Sequence, residues 1–505
     1  MIISKLSKIN FSLLLLSLLP IAFVAGPLLV EMIINILILI FLYTSIKNKD
    51  YRFFKNKIFI FFFLFYIYLI INLIFSDFFK ETALNVFSYI RFILFPFAVC
   101  KILENNNKNL KFVFIILSFS ILVVVLDGYY QFIYGKNFLG FEKYRLDRIS
   151  GFFKDDLILG SFLSRLLPLF MALIIFFKKD LKMTVFNLFI FFSTFILIFL
   201  TGERASFIMA SLTLLIIIIS IKSNFYLRIV SLSILISTII VLINSNSTLF
   251  DRHYNQLKNH IFLKQDNTNI ILPYYLPMIK TSFKMFNDSK FIGHGPKSYR
   301  YLCGDKKFAS YFPNPLKIDN TEIRLPNNWK ELNGIKIIDF FVKPGDIIAV
   351  GDKILTYQYI GSKNIKSFFS KKEGKVSKIF DQKANHISND IVIKITPQYS
   401  VNSFLKFKNG CNTHPHNFYI QLLAETGLIG FIFILSLFIY LSLKIVKNIF
   451  FKSFKDSEIC ILIGFFVVLW PLTTNGNFFN NWINLISFYP LGFFLYMLNK
   501  KEKER

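Results

Sequence analysis

Two of the chain's six histidines stand two residues apart in Thr413-His414-Pro415-His416-Asn417. A long apolar run follows them, opening Phe418-Tyr419-Ile420-Gln421-Leu422-Leu423-Ala424-Glu425-Thr426-Gly427. A neutral imidazole can take a proton from a sugar hydroxyl near neutral pH, which makes this pair a candidate general base. Metal binding is the rival chemistry, but two histidines at this spacing have no obvious third ligand beside them. Helix capping or interfacial packing is the purely structural alternative. A second cluster, Thr201-Gly202-Glu203-Arg204-Ala205-Ser206, sets a charged pair in a very tight turn between two apolar runs. A guanidinium at a bilayer surface is shaped to grip phosphate, while a snorkelling arginine beside its glutamate is the plainer reading.

Two further groups carry cations. Gly293-His294-Gly295-Pro296-Lys297-Ser298-Tyr299-Arg300 combines glycines, which allow close backbone approach, with two basic donors. An ordinary turn explains its Gly-x-Gly equally well, and the phosphate-loop spacing Gly-x-x-x-x-Gly-Lys is absent. Arg145-Leu146-Asp147-Arg148 precedes Ser150-Gly151, and Arg165 lies inside an apolar run. These arginines read as anion-binding residues facing a cavity; a solvated loop explains the first two nearly as well and Arg165 much less well, since a charge at membrane depth is costly and usually functional.

The elements that must position these residues are apolar helices. Of the 505 residues, 54% are hydrophobic and 18% aromatic, with a mean hydropathy of +0.53. Apolar runs near the ~20 residues needed for a membrane span recur along most of the sequence. Twelve spans are expected, at about 9–25, 27–46, 56–75, 84–103, 110–128, 157–177, 184–201, 204–221, 227–244, 417–443, 458–473 and 480–498. Residues 1–26 read as the first span rather than a cleaved signal peptide, because further apolar runs follow at once. The expected fold class is therefore an all-α polytopic membrane protein with a small β insert. Its expected organisation is helices 1–9 in 1–244, a large loop at 245–416, and helices 10–12 in 417–505.

Charge placement sets the orientation. The net charge of +28 partly follows the Phe, Ile, Lys and Asn bias of AT-rich coding, and many basic residues flank apolar runs. A nucleic-acid partner is set aside because no soluble basic face is evident. Lys47, Lys49, Arg52, Lys178, Lys179, Lys182, Lys444, Lys447, Lys452 and Lys455 collect on one set of loops, and the positive-inside rule puts those and both termini in the cytoplasm of a bacterial inner membrane. The loops at 129–156 and 245–416 then face the periplasm, although the first is itself basic. Cys100 and Cys460 read as buried apolar residues, whereas Cys303 and Cys411 bracket an insertion in an oxidising compartment and are expected to form a disulfide. No metal site is expected.

Taken together, the twelve-span layout, the turn Gly202-Glu203-Arg204-Ala205, the late loop with Gly-x-Gly, and His-x-His-Asn leading into Gln-Leu-Leu-Ala-Glu-Thr-Gly-Leu-Ile-Gly resemble the O-antigen ligase/polymerase family. The resemblance covers nearly the whole chain except the insertion after Cys303. It implies a glycan donor on undecaprenyl pyrophosphate, a lipid A-core or other glycan acceptor, and an inverting, metal-independent displacement without a cofactor. It carries the base role to His416, with His414 as the neighbouring alternative, and pyrophosphate binding to Arg204. The family commonly has an arginine upstream of Gly-x-Gly; here 270–292 holds only Lys280, Lys284 and Lys290, so the second phosphate clamp falls to Arg300 or Lys280.

Residues about 319–397 read as short β segments split by Gly, Asp and Asn. They resemble a biotinyl/lipoyl-type flattened β-barrel of two similar halves. Lys363 stands near the hairpin where lipoyl domains carry their modified lysine, but the usual sequence around that lysine is missing, so an unmodified barrel that binds a partner or glycan, or shapes the acceptor entrance, is expected. Two functions share the donor chemistry: a ligase delivering a finished glycan and a polymerase joining repeat units. A transporter of lipid-linked glycan needs no base and commonly shows an inverted repeat, which is not evident here. An adaptor-like scaffold leaves the arginine and histidine clusters unexplained.

Overall fold

The computed structural model describes residues 10–106, 109–143, 148–222, 225–245, 247–255, 257–258, 262–265, 268–271, 275–310, 321–325, 334–349, 351–362, 364–370, 372, 374–380, 390–396 and 411–503. The chain forms two compact units, one of Met1–Leu257, Ser282–Leu302 and Thr413–Arg505, the other of Lys258–Thr281 and Cys303–Asn412.

The first unit is helical. Its helices are α1 (Phe11–Ala25), α2 (Pro27–Lys47), α3 (Lys57–Ile74), α4 (Phe79–Phe87), α5 (Ile90–Asn105), α6 (Leu110–Tyr134), α7 (Leu159–Phe176), α8 (Leu181–Leu200), α9 (Arg204–Ser220) and α10 (Phe225–Ser245). Helix α11 (Leu276–Asp288) divides between the units, and α12 (Phe418–Phe451), α13 (Asp456–Val468) and α14 (Asn481–Lys503) complete the first. Among the described residues, seven helical runs are long and apolar enough to cross a membrane, α4 and α5 counting as one, and α1 and α9 are shorter apolar helices. The protein is thus a mostly helical membrane protein, and each of the twelve expected spans falls on helical residues, the one at 84–103 being divided between α4 and α5. Two ends differ. Helix α12 continues to Phe451 because its apolar pattern runs on through Ile445, Ile449 and Phe450, and α13 stops at Val468, just before Trp470-Pro471, since a proline disfavours helix in the residue before it.

Lipid is as apolar as leucine, so helices in a bilayer associate by close packing rather than by the hydrophobic effect. Small residues supply that closeness here. Helix α14 lies along α5, where a Cβ on Gly492 would come within 2.4 Å of Val99 Cβ. Helix α13 lies along α7, where Gly464 meets the ring of Pro168 in the same way.

The second unit holds the β structure. A hairpin pairs β1 (Phe262–Gln265) with β2 (Thr268–Ile271). The insert contributes β3 (Thr321–Arg324), β4 (Ile335–Phe340), β5 (Ile347–Ile348), β6 (Lys353–Tyr359), β7 (Ile365–Phe369), β8 (Gly374–Ile379) and β9 (Ile391–Thr396). They form two antiparallel sheets, ordered β3-β9-β8-β5 and β4-β6-β7. One core of Ile335, Ile348, Ile354, Leu355, Val376, Val392, Ile393 and Ile395, among others, joins the two sheets. Burying each such side chain contributes about 1.5–3 kcal/mol. Two sheets on one core are compatible with the expected flattened barrel. Lys363 lies outside the described residues, as do Arg145, Leu146 and Asp147. Cys303 and Cys411 are joined by a disulfide, while Cys100 and Cys460 are free and buried.

Candidate functional site

The site begins where α12 begins. Asn417 caps that helix: its side-chain oxygen accepts from the N–H groups of Tyr419 at 3.0 Å and Ile420 at 3.2 Å, and its amide donates to the Pro471 carbonyl at 2.7 Å. Asn, like Ser, Thr and Asp, suits this position because it satisfies helix amides that lack partners. The cap fixes the preceding His414-Pro415-His416 turn. The His416 carbonyl accepts from Asn475 N–H at 2.9 Å, and the two imidazole rings lie 4.3 Å apart between centroids. Thr413 Oγ1 and His414 Nδ1 are 2.9 Å apart. Burial, then the neighbouring His416, lowers the His414 pKa to about 3, so this imidazole stays neutral. His416 adopts a left-handed backbone with φ 57°, a conformation costly for a residue with a Cβ and concentrated at functional sites.

The Gly293–Arg300 loop is built against the same helix. Glu425, fully buried, accepts from Lys297 N–H at 2.9 Å and Tyr299 N–H at 3.1 Å through its two carboxyl oxygens, and its main-chain carbonyl accepts from Gly295 N–H at 2.8 Å. Gln421, one turn earlier, donates to both Glu425 and Asn477 at 3.0 Å. The helix breaks two residues later, at Gly427 (φ 60°, ψ −166°), and Leu428 N–H then donates to the Lys290 carbonyl. Only glycine fits there: a Cβ on Gly427 would sit 2.4 Å from the Phe291 carbonyl oxygen, and one on Gly293 would sit 2.5 Å from Gly427 N. From the other side Tyr68, Asn72 and Ser76, spaced four apart, donate to loop carbonyls; Ser76 Oγ reaches His294 O at 2.7 Å.

This scaffold presents cations. Lys297, left-handed like His416 with φ 64°, donates from Nζ to Asn85 Oδ1 at 2.6 Å. Burial, then the positive Arg300 guanidinium, lowers its pKa to about 8; Glu425 opposes the shift and Arg91 adds to it. Arg91 is paired with Glu31 at 2.9 Å. The exposed Arg300 also acts electrostatically on His414. Arg300, Lys297, Arg91 and the histidine pair thus share one neighbourhood.

The second arginine cluster surrounds Glu203. Its carboxylate accepts from Gly160 N–H at 2.7 Å, Ser161 N–H at 3.0 Å and Ser206 Oγ at 2.9 Å, which occupies the N-terminus of α7. Burial raises its pKa, and Arg148 counteracts that rise. Arg165, buried inside α7, feels the same carboxylate and donates to the Ser161 carbonyl at 3.1 Å. Arg204 follows directly as the first residue of α9 and is half-buried. Arg252 Nε donates to the Gly202 carbonyl at 3.1 Å, and His253 stacks on Phe199 with ring centroids 4.2 Å apart. Lys280 is exposed on α11.

Of the residues expected to do chemistry, His414, His416 and Arg300 come together. Arg148 and Arg165 gather around the glutamate that precedes Arg204. Lys280 belongs to the other unit. Five contributors were given no role by the sequence: Glu425, Gln421, Lys297's partner Asn85, Arg91 and Arg252. The ionisable ones among them sit within or against apolar helices, and that signal was available. Among the described residues, no group of three or more His, Cys, Asp or Glu side chains is arranged to hold a metal ion. No curated protein and no solved structure matches the chain. The model of the O-antigen ligase family matches residues 189–325. Those residues carry both the Arg204 turn and the Gly293–Arg300 loop.

Proposed function

We propose that the protein transfers a glycan from an undecaprenyl-pyrophosphate donor to an acceptor hydroxyl on the periplasmic face, as a ligase of the O-antigen type. The observation that carries this reading is the convergence of the cationic Lys297–Arg300 loop with the His414–His416 turn, where Arg300 acts electrostatically on His414. Phosphate-binding cations and a candidate base in one place are what glycosyl transfer from a pyrophosphate needs. Twelve spans with both termini cytoplasmic would put that place at the periplasmic surface, in keeping with the positive-inside bias.

In this mechanism His416 takes the proton of the acceptor hydroxyl. The hydroxyl oxygen attacks the anomeric carbon, the bond from that carbon to the pyrophosphate oxygen breaks with inversion, and undecaprenyl pyrophosphate leaves with the electron pair. His416 is preferred over His414 because an imidazole whose pKa is held near 3 is a weak base at neutral pH. Arg204, Arg300 and Lys297 neutralise the leaving group, the kind of fixed charge that contributes most in a water-poor site. Arg148 and Arg165, facing Glu203, hold the turn that presents Arg204. Lys280 lies exposed on α11 in the other unit and is given no step. No step asks for a metal or a cofactor.

The test is reconstitution of the purified protein with an undecaprenyl-pyrophosphate glycan, with and without lipid A-core, in the presence of EDTA. Transfer to the core establishes the ligase. Longer glycans on the carrier without core would instead establish a polymerase using the same donor, and movement of the lipid across the bilayer without product would replace both by transport.

A further inference from the structure

Glu425 has no part in the chemistry just described, yet it is fully buried in a helix long and apolar enough to span the membrane. A buried carboxyl is costly unless its oxygens are satisfied, and here three N–H donors converge on them: Lys297 N, Tyr299 N and Gln421 Nε2. Two of the three belong to the backbone of one loop, and that loop carries Lys297 and Arg300. The Glu425 carbonyl takes a further loop amide, Gly295 N–H. Through Gln421 the same chain of bonds continues to Asn477, whose amide reaches the Thr413 carbonyl at 3.5 Å beside the histidine pair.

We propose that Glu425 is the positioning residue of the site: its buried carboxyl ties the loop bearing Lys297 and Arg300 to the helix that begins behind His416, so that cations and base face one donor molecule. The function rests on the glycosyl-transfer reading above; the geometry does not. The side chain is matched to the task. A carboxyl offers acceptors on both oxygens, whereas the isosteric amide offers one oxygen and two N–H groups. In E425Q, therefore, at least one loop amide faces another donor. Misplacing a reacting group by about 1 Å can lower a rate on the order of a hundredfold.

The experiment uses the full-length protein with E425Q and E425A. Each is exposed to a water-soluble amine-acylating reagent, and modification is read by mass spectrometry at Lys297 and at Lys101, which is buried in an ion pair with Asp50. Donor KM and kcat are measured on the same preparations. If Glu425 positions the loop, Lys297 acylates about tenfold faster through local opening while Lys101 keeps the wild-type rate. Transfer then falls on the order of a hundredfold, chiefly in kcat, with E425A at least as impaired as E425Q. Unchanged Lys297 reactivity in both variants would overturn the proposal whatever the activity. Equal acceleration at Lys101 would overturn it too, by making Glu425 a general stabiliser of the fold. Released Lys297 with undiminished transfer would leave Glu425 as the loop's anchor and remove the loop from the reaction, sinking the functional reading instead.

Discussion

His414 and His416 differ in what surrounds them, and that difference separates their expected phenotypes. His416→Ala is expected to lower transfer by roughly 10²–10⁴-fold, the span typical of losing a general base, with donor affinity largely kept. Arg204→Ala should weaken donor binding and transfer together, because it removes charge that acts on bound pyrophosphate as well as on the transition state. Donor-binding isotherms beside single-turnover rates check both; equal loss of binding in the two variants would count against His416 as the base. His414 gives a different signal. Its folded pKa, near 3, lies below its unfolded value of 6.5. Above 6.5 both states are neutral there and the contribution to stability is complete. As pH falls from about 6.5 toward 3, the unfolded chain binds a proton that folded His414 refuses, so stability drops. Melting temperatures taken from pH 7.5 down to pH 5 should fall less steeply in His414→Gln than in the wild type. An unchanged slope would mean that burial does not hold this imidazole neutral.

At the scale of elements, two backbone devices hold the cationic residues. The Gly293–Gly427 contact is one, and Gly427→Ala should destabilise the helical unit by at least about 2 kcal/mol, since its φ and ψ are close to glycine-only and its Cβ would strike Phe291 O. Gly304→Ala, whose Cβ would meet only Cys411 Sγ at 3.7 Å, is the neutral control in thermal melts. Arg252 is the other: Arg252→Lys keeps the charge but cannot place a planar Nε on the Gly202 carbonyl, so donor affinity should fall several-fold with kcat little changed. The helices that carry these devices were legible in the sequence, because runs such as Leu159–Phe176 and Leu181–Leu200 are apolar over the length of a bilayer. Strands were legible where β-branched residues run together beyond a turn residue, as in Ile391–Thr396 after Asp390. The histidine turn was legible because polar residues at the mouth of an apolar helix stand out. What stayed hidden was partnership. Nothing in the Gly293–Arg300 run announces that the amides of Lys297 and Tyr299 end on Glu425, 128 and 126 residues away, because such a contact depends on where a loop and a distant helix meet.

On the scale of the whole molecule, the β insert is a chain segment spliced into a helical protein, and its geometry says how separable it is. Strands β3 and β9 bring the chain in and out side by side, with Thr321 opposite Ile395 and Ile323 opposite Ile393. Antiparallel partners lie about 4.5–5.5 Å apart, so a two-residue turn can close the gap that excision of 322–394 would leave. Insertions with adjacent ends tend to be tolerated because the host chain feels little change in its path. The insert also has its own core, gathered from both sheets. Replacing 322–394 by Gly-Ser should therefore leave the Cys303–Cys411 disulfide formed and the melting of the helical unit within about 0.5 kcal/mol of wild type. Donor binding should persist in that protein. If transfer to one acceptor disappears while donor binding and hydrolysis of the donor remain, the insert acts on the acceptor. If donor binding is lost as well, the insert is part of the catalytic fold, and the independence read from its adjacent ends and separate core is wrong.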